Sequence, residues 1–455
     1  MSFILSVLYF VTSYLTPATI FGPLAAAHIE LILAALIFFV SLPKLAKSLI
    51  LKTPQSLALI GLAFAVFLSV LIEVHWAGGA VQAFLGFIPS AFAYFLVCLH
   101  CNSKKKLQVL VLMLLFVCVF VIANGCIALK RGVPDSAALQ AGDTGTPYLL
   151  PMKSDAGEWF YRLRGLGGIN DPNDFGQLVV CVIPLVFIFW RPKRMLPNIV
   201  FVVLPECVLL YGIYLTHSRG ALVALVAVAV VAARRRIGTL PSLLVAGGLF
   251  VAAMALHFTG GRDISASAGE DRTALWGESL QLLKSHPLFG VGFGNLPDYL
   301  GHTAHNSVAV CAAELGMFGL YFWSLFLFPT MRAALAIASP AKVSEGEPIV
   351  AEEGLFPQAT RKIEAVDKAE INSLGRLVVL SLIGFLVAGW FLSRAFVMTL
   401  FLLGGMAEVV YQMALQRGMI APRLRLARAL PYAGVFAISL VLLMYIMLRI
   451  LNLMH

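Results

Sequence analysis

Along this chain the apolar residues come in blocks of about 18 or more, broken by shorter groups rich in charge, proline and glycine. A helix rises about 1.5 Å per residue, so a block of this length crosses a hydrocarbon layer of roughly 30 Å. In such a layer the backbone must satisfy its own hydrogen bonds, which makes each block a helix. The blocks lie at approximately 3–21, 25–42, 55–72, 80–99, 107–128, 175–190, 197–216, 221–233, 240–257, 305–329, 377–394, 396–414 and 431–451. The pattern predicts an all-α fold, a polytopic transmembrane helical bundle of about 12–13 spans.

Composition agrees. Of 455 residues, 60% are hydrophobic and 12% charged, and the mean hydropathy is +0.90, well outside the balance of a soluble domain. Charge then orients the bundle. Lys44, Lys47 and Lys52; Lys104, Lys105 and Lys106; Arg191, Lys193 and Arg194; Arg234, Arg235 and Arg236; and Arg417, Arg423, Arg425 and Arg428 fall at alternate turns. The positive-inside bias therefore puts all of them in the cytoplasm. These clusters account for much of the net charge of +10, so that charge is not read as a nucleic-acid surface. The amino terminus MSFILSVLYFVTSYL has no Lys or Arg and reads as a first span, not a signal peptide. Cys98 and Cys101 form a CLHC at a cytoplasmic helix end, with no further ligands clustered on that side, and read as structural thiols.

Three long polar segments remain. Residues 331–376 mix Glu345, Glu347, Glu352, Glu353 and Glu364 with Arg361, Lys362 and Lys368 and read as a solvated cytoplasmic linker. The other two face the non-cytoplasmic side. The expected organisation is 1–128, N-terminal spans; 129–174, a first periplasmic loop; 175–257, spans with a Ser-Arg-Gly motif; 258–304, a large periplasmic loop; 305–330, a span starting at a His-Asn motif; 331–376, the linker; and 377–455, C-terminal spans.

Each outer loop ends in a dense polar group where the chain re-enters the membrane. In the first, WFYRLRGLGGINDPNDFG sets Arg162 and Arg164 ahead of a glycine-rich turn and then Asp171, Asn173 and Asp174. Asp-Pro-Asn-Asp favours a turn and a helix start, with Asp174 as the expected cap. The group reads either as a binding site or as a structural loop tied by salt bridges. Arg219 in THSRGALVAL lies between two apolar blocks with hardly a loop. An arginine there can simply snorkel, but the outer side is where the positive-inside bias does not recruit arginine.

In the second outer loop, Leu275, Trp276, Leu280 and Leu283 are at helical spacing, which predicts an amphipathic helix over Asp271 to Ser285, ended by His286 and Pro287. Arg272 lies one turn from Trp276, close enough for a cation–π pair as well as for a substrate site. The GVGFG that follows is no dinucleotide loop, since it follows a helix and not a strand, although its glycines offer backbone N–H groups to an anion. Then GHTAHNSVAVCAAELG places His302 and His305 three apart, with Asn306 next. Apart from Cys311 within the apolar run, no third His or Cys lies nearby, so the expectation is no metal. Arginines on the same membrane face instead make His305 a candidate base in a site that binds a polyanion and activates a hydroxyl. Glu314, nine residues on and on the opposite helical face, reads as helix packing or as an orienting residue.

Taken together, RLRGLGGINDPNDFG, THSRGALVAL, DRTALWGESLQLLKSHPLFGVGFG and HNSVAVCAAELGMFGL resemble the O-antigen ligase and polymerase superfamily of bacterial envelope glycosyltransferases, most strongly over about 202–328. The resemblance implies a metal-independent, inverting glycosyltransferase without cofactors in the bacterial inner membrane, its active site facing the periplasm. It implies an undecaprenyl-pyrophosphate-linked glycan as donor and a hydroxyl of the lipid A core as acceptor, or of a second lipid-linked glycan in a polymerase; related protein glycosylases use Ser or Thr. It makes His305 catalytic and Arg219, Arg272 and Arg164 pyrophosphate-binding, with Asn306, Asp171, Asn173, Asp174 and Glu314 as secondary candidates.

The chemistry is consistent with these roles. A leaving pyrophosphate gains charge, which guanidiniums stabilise, and a histidine with an ordinary pKa of about 6.5 takes a hydroxyl proton near neutrality. The alternative class is a transporter, which requires ionisable residues near the midplane and repeated halves. Glu206 and Glu408 lie inside spans, but no repeat is visible.

Overall fold

The computed structural model describes residues 2–20, 29–131, 146–154, 157–255, 267–338, 365–420 and 426–453. Most of the expected linker and the start of the large loop lie outside these residues. A helix lies on each of the thirteen predicted blocks: α1 (Ser2–Leu15), α2 (Ile29–Lys47), α3 (Pro54–Ser69), α4 (Ala77–His100), α5 (Lys104–Arg131), α6 (Pro172–Val186), α7 (Leu204–Thr216), α8 (Arg219–Ile237) and α9 (Thr239–Ala255), then α12 (Ser307–Ala338), α13 (Ala365–Gly389), α14 (Met398–Gln416) and α15 (Leu426–Leu453). The second loop contributes α10 (Ser267–Ser285) and the short α11 (Leu296–Leu300). Among the described residues, ten helices are long and apolar enough to cross a membrane. The protein is an all-α, multi-pass membrane bundle.

Three local features depart from the block pattern. The first block breaks at Thr16, whose φ is +40°, ahead of Pro17, which has no N–H with which to continue the helix. The first loop contains a two-stranded antiparallel hairpin, β1 (Leu149–Lys153) and β2 (Trp159–Leu163), with Leu149 opposite Leu163. In α12 the helix is interrupted at Gly316 (φ +63°, ψ −165°).

The chain folds into two compact units that interleave in sequence. The first comprises Met1–Val40, Ser103–Ile264 and Leu380–Ala388; the second comprises Ser41–Asn102, Ser265–Val379 and Gly389–His455. In the first unit α6 packs on α5, α7 and α8. Its buried Gln177 donates to the Phe385 carbonyl at 3.0 Å, and Ser381 donates to the Cys181 carbonyl at 2.7 Å, so polar side chains in the interior are spent on backbone acceptors.

In the second unit α12 packs on α3, α10, α14 and α15, and α14 is almost wholly buried. Glu408 on α14 accepts from Gln412 at 2.8 Å. Cys98 and Cys101 are buried free thiols, and His100 between them bonds Ser41 at 2.8 Å and Lys44 at 3.2 Å.

The interruption at Gly316 releases backbone groups, and the GVGFG segment takes them up. Val291 N–H donates to the Ala313 carbonyl at 2.8 Å and Gly292 N–H to that of Glu314 at 3.1 Å, while Met317 and Phe318 donate to Pro287 and Leu288 at 2.8 and 3.1 Å. Inside a membrane these partners are obligatory, because an unpaired peptide group there costs several kcal/mol. A Cβ at Gly316 would collide with the Leu288 carbonyl, and its backbone conformation is one that essentially only glycine adopts.

Candidate functional site

In the first unit, the polar edge is built around Arg162 rather than around its neighbour. Arg162 is 4% exposed. Its Nε donates to the Thr216 carbonyl at 2.8 Å and its Nη2 to Asn173 Oδ1 at 2.9 Å, joining β2 to the start of α6 and the end of α7. Asp171, and not Asp174, caps α6, since its side chain accepts from Asn173 N–H at 2.7 Å. Proline at the following position places the helix start at residue 172. Asp174 is then buried in the first turn.

The THSR turn is equally defined. Thr216 Oγ1 accepts from Ser218 N–H at 3.2 Å, His217 takes the left-handed conformation with φ +49°, and Ser218 caps α8 by accepting from Ala221 N–H at 3.3 Å. Gly176 lets α6 approach this turn, since a Cβ there would press on Ala221. Arg219 is the first residue of α8 and is partly exposed. Arg164 is also partly exposed and donates to the Pro147 carbonyl at 3.0 Å. Thus Arg162, through Asn173, and Gly176 bring the start of α6 to the turn that presents Arg219.

In the second unit, three segments meet at the head of α12. Asn306, fully buried, caps this helix by accepting from Val308 and Ala309 N–H at 2.8 and 3.0 Å. His305 immediately precedes it with φ +50°, a conformation uncommon for a residue with a Cβ and found disproportionately at functional sites. Its backbone N–H donates to Ser393 Oγ at 2.9 Å, and Ser393 also contacts Thr303 Oγ1. Helix α10 is held from the other side, because Trp276 Nε1 donates to the Ala304 carbonyl at 2.8 Å. Arg272 lies one turn from Trp276, whose ring packs against Trp390 with centroids 6.3 Å apart. His302 is exposed.

Glu314 has a structural partner set. Its carboxylate takes hydrogen bonds from the backbone of Gly294 and Leu296, at the last glycine of GVGFG and the first residue of α11. The acceptor that this glycine-rich loop meets is therefore a carboxyl group of the chain itself. Sequence reasoning overlooked the loop after α13. FLSRAF carries a Ser-Arg between two apolar blocks, as THSRGA does, and that was the available signal.

The arrangement supplies a histidine fixed at a helix head with an arginine-bearing helix beside it, the parts needed for proton removal next to a bound anion. Residues 207–324 match the family model described as O-antigen ligase, a match lying within the stretch over which the motifs resemble that family. No curated protein sequence matches the chain. Over residues 207–324, from within α7 to the middle of α12, this multi-pass membrane chain is similar to the O-antigen ligase family.

Proposed function

We propose that the protein is a metal-independent, inverting glycosyltransferase of the inner membrane, moving a glycan from undecaprenyl pyrophosphate to a hydroxyl of the lipid A core on the periplasmic face. The observation that carries this reading is His305 at the head of α12, its backbone pinned to Ser393, with the Arg272 helix pinned one residue away at Ala304.

In this reaction the acceptor hydroxyl attacks the anomeric carbon from the side opposite the pyrophosphate, and its proton passes to His305. The new carbon–oxygen bond forms as the bond to the pyrophosphate oxygen breaks, which inverts the anomeric centre. The leaving group departs as an anion stabilised by Arg272. Arg219 and Arg164 enter as donor-binding residues from the motifs, Asn306 as the residue that holds the backbone of His305, and Asp171, Asn173 and Asp174 as supports of the Arg219 turn.

The test is transfer by purified protein in liposomes, with undecaprenyl pyrophosphate oligosaccharide as the only sugar donor and lipid A core present or absent. Single transfers that require the core fit the ligase. Carrier-linked glycan that lengthens without the core identifies a polymerase. His305→Ala is expected to lower kcat by about 100-fold or more with an unchanged unfolding midpoint; transfer at the wild-type rate would remove His305 as the base.

A further inference from the structure

We infer that Arg394 is a donor-binding residue beside His305, its guanidinium taking phosphate oxygens of the lipid pyrophosphate; this rests on the transfer reaction proposed above. No motif assigns it a role, and it lies outside the segment that matches the family. What singles it out is how firmly its loop is fixed. Ser307 Oγ donates to the Leu392 carbonyl at 2.7 Å and accepts from Arg394 N–H at 3.1 Å. Ser393 Oγ holds His305 N–H, and Trp323 Nε1 donates to the Ala395 carbonyl at 2.9 Å. Four consecutive residues, 392 to 395, are thus tied to α12 or to His305 just ahead of it, three of them through partners at His305 or Ser307. A loop held this way sets its Arg394 Cα relative to the catalytic residue as firmly as a helix would, which is what a preorganised charge requires.

The chemistry at that edge favours an anion. Segments 301–307 and 389–397 contain no carboxylate, while His305, Arg394 and Arg272, the last directly after Glu270 and Asp271, supply positive or proton-accepting groups. Glu314, which follows nearby in sequence, is spent on the Gly294 and Leu296 backbone. Asn306 spends Oδ1 on the helix cap and leaves a buried Nδ2 with no hydrogen-bond partner among the described residues, so a donor one residue from His305 is still to be satisfied. The positive end of the α12 dipole lies at the same place. Arginine, with its planar fork, matches a phosphate better than the point charge of lysine. The positive-inside bias does not explain Arg394, because the charge pattern puts the α13–α14 turn on the outer side.

Sugar-free undecaprenyl pyrophosphate binding to the full-length protein in nanodiscs tests this directly. The wild type is expected to bind, Arg394→Gln to bind about tenfold or more weakly, and Arg394→Lys to fall between them, with matched unfolding midpoints. Failure of the wild type to bind, or equal binding by Arg394→Gln, overturns the proposal. So does a lysine variant that binds as poorly as glutamine and also unfolds earlier, since that pattern marks a structural arginine. In the transfer assay Arg394→Gln is expected to raise the donor KM and leave the acceptor KM unchanged. A wild type that binds the carrier but transfers nothing removes the proposed reaction while the anion site stands. Normal donor kinetics in Arg394→Gln remove the site while the reaction stands.

Discussion

At the residue scale, adjacent side chains with the same chemistry have been given different tasks. Arg162 and Arg164 lie two apart on one strand and its exit, yet Arg162 is buried and spent on Thr216 and Asn173 while Arg164 stays partly exposed. Burial and partner geometry separate them, and neither is visible in a one-dimensional reading. Glu314 makes the same point for an acid. Its carboxylate accepts from Gly294 and Leu296, so Glu314→Ala leaves two backbone donors without their acceptor, at a cost of about 1–3 kcal/mol each. The expected result is a lower thermal unfolding midpoint and a fall in kcat, because the segment these bonds hold leads through α11 to His305. Glu314→Gln keeps one carbonyl acceptor and should recover part of both. If the glutamine variant keeps full stability but loses all transfer, Glu314 acts on substrate and not on the loop.

At the element scale, the break in α12 connects the glycine-rich loop to the helix that His305 precedes. The conformation of Gly316 costs a residue with a Cβ about 1–3 kcal/mol, before the collision with Leu288 is counted. Gly316→Ala is therefore expected to unfold at clearly lower temperature and to lose transfer. Gly247→Ala in α9, where a Cβ meets nothing within 4 Å, should be neutral or slightly stabilising; equal effects at the two sites would sink the assignment. Long apolar blocks were legible in the sequence because membrane solvent imposes length and hydrophobicity together. The break was not, since AELGMFG continues the apolar pattern across it and the cause is a distant segment, 287–292. The hairpin was hidden for a related reason, as its stability comes from cross-strand pairing and not from any strong local period. His305, Arg272 and Arg219 became candidates through the order of four motifs, whereas Arg394 became one only from the loop that reaches the head of α12.

At the scale of the whole molecule, the two units are interleaved so that the family match divides between them, with Arg219 in the first and Arg272 and His305 in the second. Helix α12 needs α3, α14 and α15 around it, and α7 needs α5 and α6, all outside residues 207–324, so the matched segment depends on the rest of the bundle for its shape. Orientation is then a property of the chain as a whole, carried by five basic clusters at alternate turns. It decides which leaflet supplies the donor. Helix α5 separates Lys105, exposed at its start, from Glu158, exposed in the hairpin beyond its end, so one crossing lies between two accessible positions. In a cysteine-free background, a membrane-impermeant maleimide added from outside is expected to label Glu158→Cys and to label Lys105→Cys only after the membrane is opened. The reverse pattern would invert the bundle relative to its basic clusters, and a donor whose glycan is displayed on the outer leaflet could not then reach the hairpin side of α5 at all.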